Sequence, residues 1–193
     1  MSLNRIPSVR AILGISLTLV LAALFFSPSS SMESSPNPIA GLRVAVKQTS
    51  TYPLTITITV VNDNDHTVTF LVYNSPLDVA APSIGLLTIT PDGASEPLDL
   101  PKLQIQRQWP PSPESLIQLE PSASQTAEIV LKDFVTSKLT KKASVTLKGR
   151  WDMVWNKQKD AVTAEMMEQA QLQLDPDMFS GSFATEGLEI FAA

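Results

Sequence analysis

Leu54-Thr-Ile-Thr-Ile-Thr-Val60 alternates apolar and hydroxyl side chains without a break. After Asn62-Asp-Asn-Asp-His66, the stretch Thr67 to Tyr73 resumes the pattern with Val68, Phe70 and Val72 in phase. Strict alternation of β-branched residues is the mark of a strand with one buried and one wet face. Asn and Asp tolerate turn conformations, so the two runs read as a β-hairpin.

The same period extends in both directions. Upstream, Leu42, Val44 and Val46 alternate with Arg43, Ala45 and Lys47. Downstream, Leu86 to Thr90 reads as a strand ending at the turn Pro91-Asp92-Gly93, and Leu103 to Gln108 as a short one before Trp109-Pro-Pro-Ser-Pro113. Leu116 to Leu119 and Thr126 to Lys132 follow, and Asp133 to Leu139 reads as a single helical turn or a crossover loop. Val145, Leu147, Gly149, Trp151, Met153 and Trp155 then fall on one face of a long extended segment. Asp160 to Leu174 breaks the period, with Val162, Met166, Met167, Ala170 and Leu174 forming a helical stripe. Ser182 to Phe191 supplies a closing strand. About seven short strands separated by turns, with one late helix, predict an all-β fold: an immunoglobulin-like two-sheet sandwich with a C-terminal helical segment.

Arg5 and Arg10 precede the apolar run Ala11 to Phe26, and small residues follow at Ser27-Pro-Ser-Ser-Ser31. This run of sixteen residues, apolar apart from Ser16 and Thr18, is short for a bilayer span and suits the core of a signal peptide, with cleavage after Ser29 or Ser31. The alternative is an uncleaved anchor, which still places the rest of the chain outside the cytosol. The expected organisation is a signal segment over 1–31, a flexible leader over 32–40, the sandwich over 41–155, and a helix and strand packed on it over 156–193.

Composition narrows the function. Without Arg5 and Arg10 the 14 basic residues fall to 12 against 19 acidic, and the formal charge moves from −5 to −7. That sign disfavours nucleic acid and anionic membrane surfaces as partners. With no cysteine, disulfides, thiolate-bound zinc and thiol catalysis are excluded. His66 is the only histidine, so neither a multi-histidine metal site nor a His-Glu-x-x-His helix can be built. Asp63, Asn64 and Asp65 are oxygen donors but lack the glycine and the distal glutamate of a calcium loop, and they read as turn residues. Asp92, Glu96 and Asp99 flank a turn, where carboxylates are ordinarily solvated rather than paired for hydrolysis. No catalytic residue, metal or cofactor is expected.

Leu42-Arg-Val-Ala-Val46, Tyr52 to Asp78, the Leu119, Pro121 and Leu131 positions and Gly149-Arg-Trp-Asp-Met-Val-Trp155 together resemble the N-terminal pro-domain of fungal deuterolysin-type zinc endopeptidases. Asn74-Ser75-Pro76-Leu77 matches that family's Asn-x-Pro corner, while Ser122 stands where a glycine is usual. The resemblance covers about 60% of the chain, and no protease part follows Trp155. It implies a secreted, stand-alone partner or inhibitor of an extracellular metallopeptidase, acting through loops at one end of the sandwich and the C-terminal segment. The alternative is a cell-wall or matrix protein that binds polysaccharide. Trp109 in its proline-rich loop, with Trp151 and Trp155, are the aromatic residues that would touch a protein or a sugar. For Trp151 and Trp155 the competing expectation is core packing.

Overall fold

In a computed structural model, residues 36–139 and 141–192 are described. The expectations for a signal segment lie outside the described residues. Nine strands are present among them: β1 Leu42–Thr51, β2 Leu54–Asn62, β3 Val68–Leu71, β4 Leu87–Pro91, β5 Leu116–Leu119, β6 Ser124–Val130, β7 Lys142–Trp155, β8 Met178–Ala184 and β9 Leu188–Phe191. Two short helices complete the elements used below, α1 Asp133–Thr136 and α2 Ala164–Gln171. Among the described residues no helix is long and apolar enough to cross a membrane.

One sheet has the order β1-β2-β6, antiparallel throughout. Its β2 strand shows why the opening heptapeptide folds as it does: Leu54, Ile56, Ile58 and Val60 are buried, and the intervening threonines lie toward the other face. The second sheet is organised around β7. Its first half pairs with β4 on one side and β9 on the other, and its second half pairs with β8 and β3, with β5 beyond β3. The two sheets enclose a core of Ile56, Ile58, Phe70, Val145, Leu147 and Trp151, among others.

The long β7 strand does not keep one phase. Trp151 pairs with Gly181 and Val154 with Phe179, so three steps along β7 match two along β8. That extra residue is a β-bulge, which turns every later side chain to the opposite face. Ala143, Val145, Leu147 and Trp151 point between the sheets, and after the bulge Val154 takes over that role. Met153 and Trp155 point outward instead, into a second apolar cluster with Leu71, Leu116, Val162 and, from α2, Met167 and Ala170. The expectation of a single face from Val145 to Trp155 is therefore corrected at Met153. Here α2 forms a third layer outside the second sheet, started by Thr163, whose hydroxyl accepts from Met166 N at 3.2 Å. Gly149 faces Phe183 so closely that a Cβ would sit 2.7 Å from the ring, which explains a glycine inside this strand.

Three further differences have physical reasons. Leu103 to Gln108 is irregular, because Leu103 and Ile105 stay exposed and have no core face to join. The C-terminal segment supplies two strands of the sheet itself rather than one packed upon it. Residues 36–40, expected within a flexible leader, are pinned: Pro38 is buried, its carbonyl accepts from Asn64 Nδ2 at 3.0 Å, and Pro36 O accepts from Asn156 Nδ2 at 2.8 Å.

The β2–β3 loop is held by Asn62, which is fully buried. Its Nδ2 donates to His66 O and Leu119 O, each at 2.9 Å, and its Oδ1 accepts from Asn64 N and Asn64 Nδ2. Asn62→Ala would leave buried carbonyls without donors. It is expected to cost about 2–3 kcal/mol, read as a lower urea midpoint. The β5–β6 turn places Ser122 at φ 64°, a left-handed conformation that glycine adopts without strain. Ser122→Gly is accordingly expected to stabilise the fold by about 0.5–1 kcal/mol, read as a higher melting temperature.

Candidate interaction surface

The candidate aromatics separate. Trp151 is 1% exposed and lies edge-on to Phe70 and Phe183, with centroids 4.9 and 5.5 Å away. Trp155 is fully enclosed, and its indole Nε1 donates to Asp175 Oδ2 at 2.8 Å. Neither presents a ring face to solvent, which corrects their candidacy for partner contact. The sheet interior and the layer under α2 have each taken one. Trp109 is half-buried at the rim of the second cluster, beside Tyr73, Met166 and Met178.

The polar candidates are structural ties. His66 Nδ1 is 2.8 Å from Asp65 Oδ1 and its Nε2 is 2.9 Å from Asn156 Oδ1, joining the β2–β3 loop to the end of β7. The hydrogen bond from His66, followed by one from its own backbone, holds the Asp65 carboxyl below the usual carboxylate range. Asp63 pairs with Arg43 at 2.8 Å rather than gathering with Asp65. Asp92 lines one surface depression with Lys142 and Glu189, whereas Glu96 and Asp99 line another with Lys102 and Lys148. The three acids are thus not gathered in one depression, although Glu96 and Asp99 line the same one. Among the described residues no group of three or more His, Asp or Glu is placed to hold a metal ion.

The Asn74–Leu77 corner contains a buried group that the sequence did not single out. Asp78 is 2% exposed, and its carboxylate accepts from Asn74 N at 2.9 Å, Ala80 N at 3.0 Å and Arg107 Nη2 at 2.6 Å. The Arg107 guanidinium lies 4.8 Å from the Tyr73 ring centroid, and the Tyr73 hydroxyl accepts from Ser115 Oγ at 3.0 Å. Asn74 itself sits at φ 59° and donates through Nδ2 to Asp152 at 2.7 Å. These contacts fix the corner.

Open depressions lie on both sides of α1. At the β1–β2 turn, Thr51 to Leu54 face Leu131, Leu139 and Ala192 across a depression of about 550 Å³, with Tyr52 86% exposed at its rim. On the other side, β6 and Phe134 face Val79, Pro82 and Leu100 across a groove of about 150 Å³. Val79, Val130 and Phe134 are all exposed there. Clustered exposed apolar side chains mark contact surfaces more often than scattered ones do. In the sequence, Tyr52 and Phe134 carry no periodic signal, since one sits before a turn proline and the other in a one-turn helix.

Two packed antiparallel sheets of short strands define a β-sandwich, here with one outer helix. The profile of an immunoglobulin-like domain family matches residues 41–192, and the chain belongs to that family. An uncharacterized secreted protein of Arthroderma benhamiae is 30% identical over 164 residues, which span 79% of this chain and 80% of that protein.

Proposed function

We propose that the chain is an exported, non-catalytic binding module that docks on an extracellular protein through the depression at the β1–β2 turn. The observation that carries this is Tyr52, an aromatic side chain left almost wholly in water over an apolar depression. An exposed aromatic beside an apolar pocket is the usual form of a binding hot spot. The depression is built from a loop at one sandwich end and from the C-terminal segment at Ala192. Export is supported by Arg5, Arg10 and the apolar run after them, and by the name of the relative from Arthroderma benhamiae.

The partner class is an extracellular metallopeptidase, which the chain would accompany or inhibit. Support comes from the deuterolysin pro-domain resemblance over Leu42 to Trp155, from which Ser122 departs where a glycine is usual. The polysaccharide alternative keeps only Trp109, because Trp151 and Trp155 are enclosed. The test uses the purified protein as bait in culture supernatant. Recovery of a zinc endopeptidase, lost with Tyr52→Ser, supports the proposal. Recovery of no peptidase, or capture that Tyr52→Ser leaves intact, contradicts it.

A further inference from the structure

The β6 strand ends its sheet, with β2 on one side and, on the other, no strand neighbour among the described residues but the loops of Val79, Pro82 and Leu100 across a groove. Leu131 N donates to Leu54 O at 2.9 Å, which sets the phase of the ladder: odd-numbered residues bond to β2, and even-numbered residues turn their N–H and C=O to the open edge. Edge strands are commonly blunted by proline, lysine or a bulge. Within Ser124–Val130 there is no proline and no lysine, and its register with β2 is unbroken.

The side chains beside this edge form a palindrome of charge. Glu128, Val130 and Lys132 are exposed, while Ile129 and Leu131 between them are buried. Lys132 keeps extended backbone, with φ −71° and ψ 154°, so the pattern continues past the end of β6. Neither Glu128 nor Lys132 takes part in an ion pair among the described residues. An antiparallel copy related by a two-fold axis through Val130 sets Val130 against Val130, and Glu128 against Lys132 twice over. A register centred on Glu128 opposes like charges, and one centred on Thr126 leaves both charges unmatched. The Lys132 carbonyl already accepts from Val135 N and Thr136 N. The new ladder is therefore short, with two bonds exchanged at Val130 and one from each Lys132 N–H to the opposite Glu128 carbonyl. Phe134 and Val79, exposed beside the edge, lie near the seam.

We infer that β6 is a self-association edge, through which two copies of this chain join their three-stranded sheets into one of six strands. Two-fold, self-complementary contacts are the commonest form of protein dimer. So short a ladder makes the dimer weak, with a dissociation constant on the order of 0.1 mM. This surface is separate from the Tyr52 depression, and its test does not depend on a partner being found.

Analytical ultracentrifugation of the purified chain, Glu128→Lys, Lys132→Glu and an equimolar mixture of the two variants tests the inference. Both substitutions change exposed side chains, and circular dichroism checks that each variant is folded. The wild type is expected to dimerise with rising concentration. Each single reversal opposes like charges at both pairs and is expected to weaken association by roughly ten-fold or more. The mixture restores opposite charges at both pairs and is expected to recover dimer, as a heterodimer. A wild type that stays monomeric up to about 1 mM, well above the expected constant, overturns the inference, even if the edge then accepts an extended peptide. Single variants that associate like the wild type, or a mixture that recovers nothing, also overturn it.

Discussion

Trp151→Ala is expected to remove about 3–5 kcal/mol of folding free energy. The indole lies between the two sheets, 1% exposed, where Phe70 from β3 and Phe183 from β8 meet it edge-on. Truncation leaves a void the size of an indole next to a bulged stretch of strand. Rigid sheet backbone on both sides limits how far the walls can collapse into it. The two edge-to-face pairs, worth about 0.5–1.5 kcal/mol each beyond their area, are lost as well. Domains of this size have only about 5–15 kcal/mol in total, so the variant should be close to unfolding at room temperature. Urea denaturation measures the change. Trp151→Phe keeps a ring against both neighbours and is expected to cost well under half as much. A loss below about 1 kcal/mol for the alanine variant would mean that the indole is not enclosed.

Asp78→Ala is expected to cost about 3–4 kcal/mol, although it removes no apolar contact. Its carboxylate is buried and serves three donors, two of them backbone N–H groups at Asn74 and Ala80. Both bonds are partly buried, and a donor left unsatisfied there costs about 1–3 kcal/mol. Arg107 behaves differently, because about a third of its side chain reaches solvent. Arg107→Ala is accordingly expected to cost only about 1 kcal/mol, and the two losses should not add, since they share one hydrogen bond. Equal effects from the two variants would show that the ion pair, rather than the backbone donors, carries the corner.

The parts of the fold that were legible in advance depend on alternation alone. Leu54 to Val60 could not have hidden its aliphatic face in any other regular backbone, and the Asn-rich loop after it left a hairpin as the economical connection. The phase of β7 beyond Trp151 was not legible. A bulge of this kind needs no marker residue, so an even spacing of tryptophans suggested one face where the structure has two. The edge character of β6 was hidden for a related reason: its alternation is the same whether or not a neighbour lies beyond it. Asp78 carried no sign of burial in the sequence, because only the folded corner brings the Asn74 and Ala80 N–H groups and Arg107 around it. Leu103 to Gln108 shows the converse, a strand-like pattern with no sheet to receive it. Of the candidate contacts, Trp109 alone is left partly exposed, while Tyr52 drew no notice in the turn before the opening heptapeptide.

Iodide quenching of tryptophan fluorescence in a Trp109→Phe variant probes the enclosure of both β7 tryptophans most directly. Only Trp151 and Trp155 emit in that protein. If one ring fills the gap between the sheets and the other lies beneath α2, native emission should be nearly insensitive to iodide and become quenchable on unfolding. Native quenching as strong as that of the unfolded chain would place at least one of the rings at the surface and contradict the bulged register.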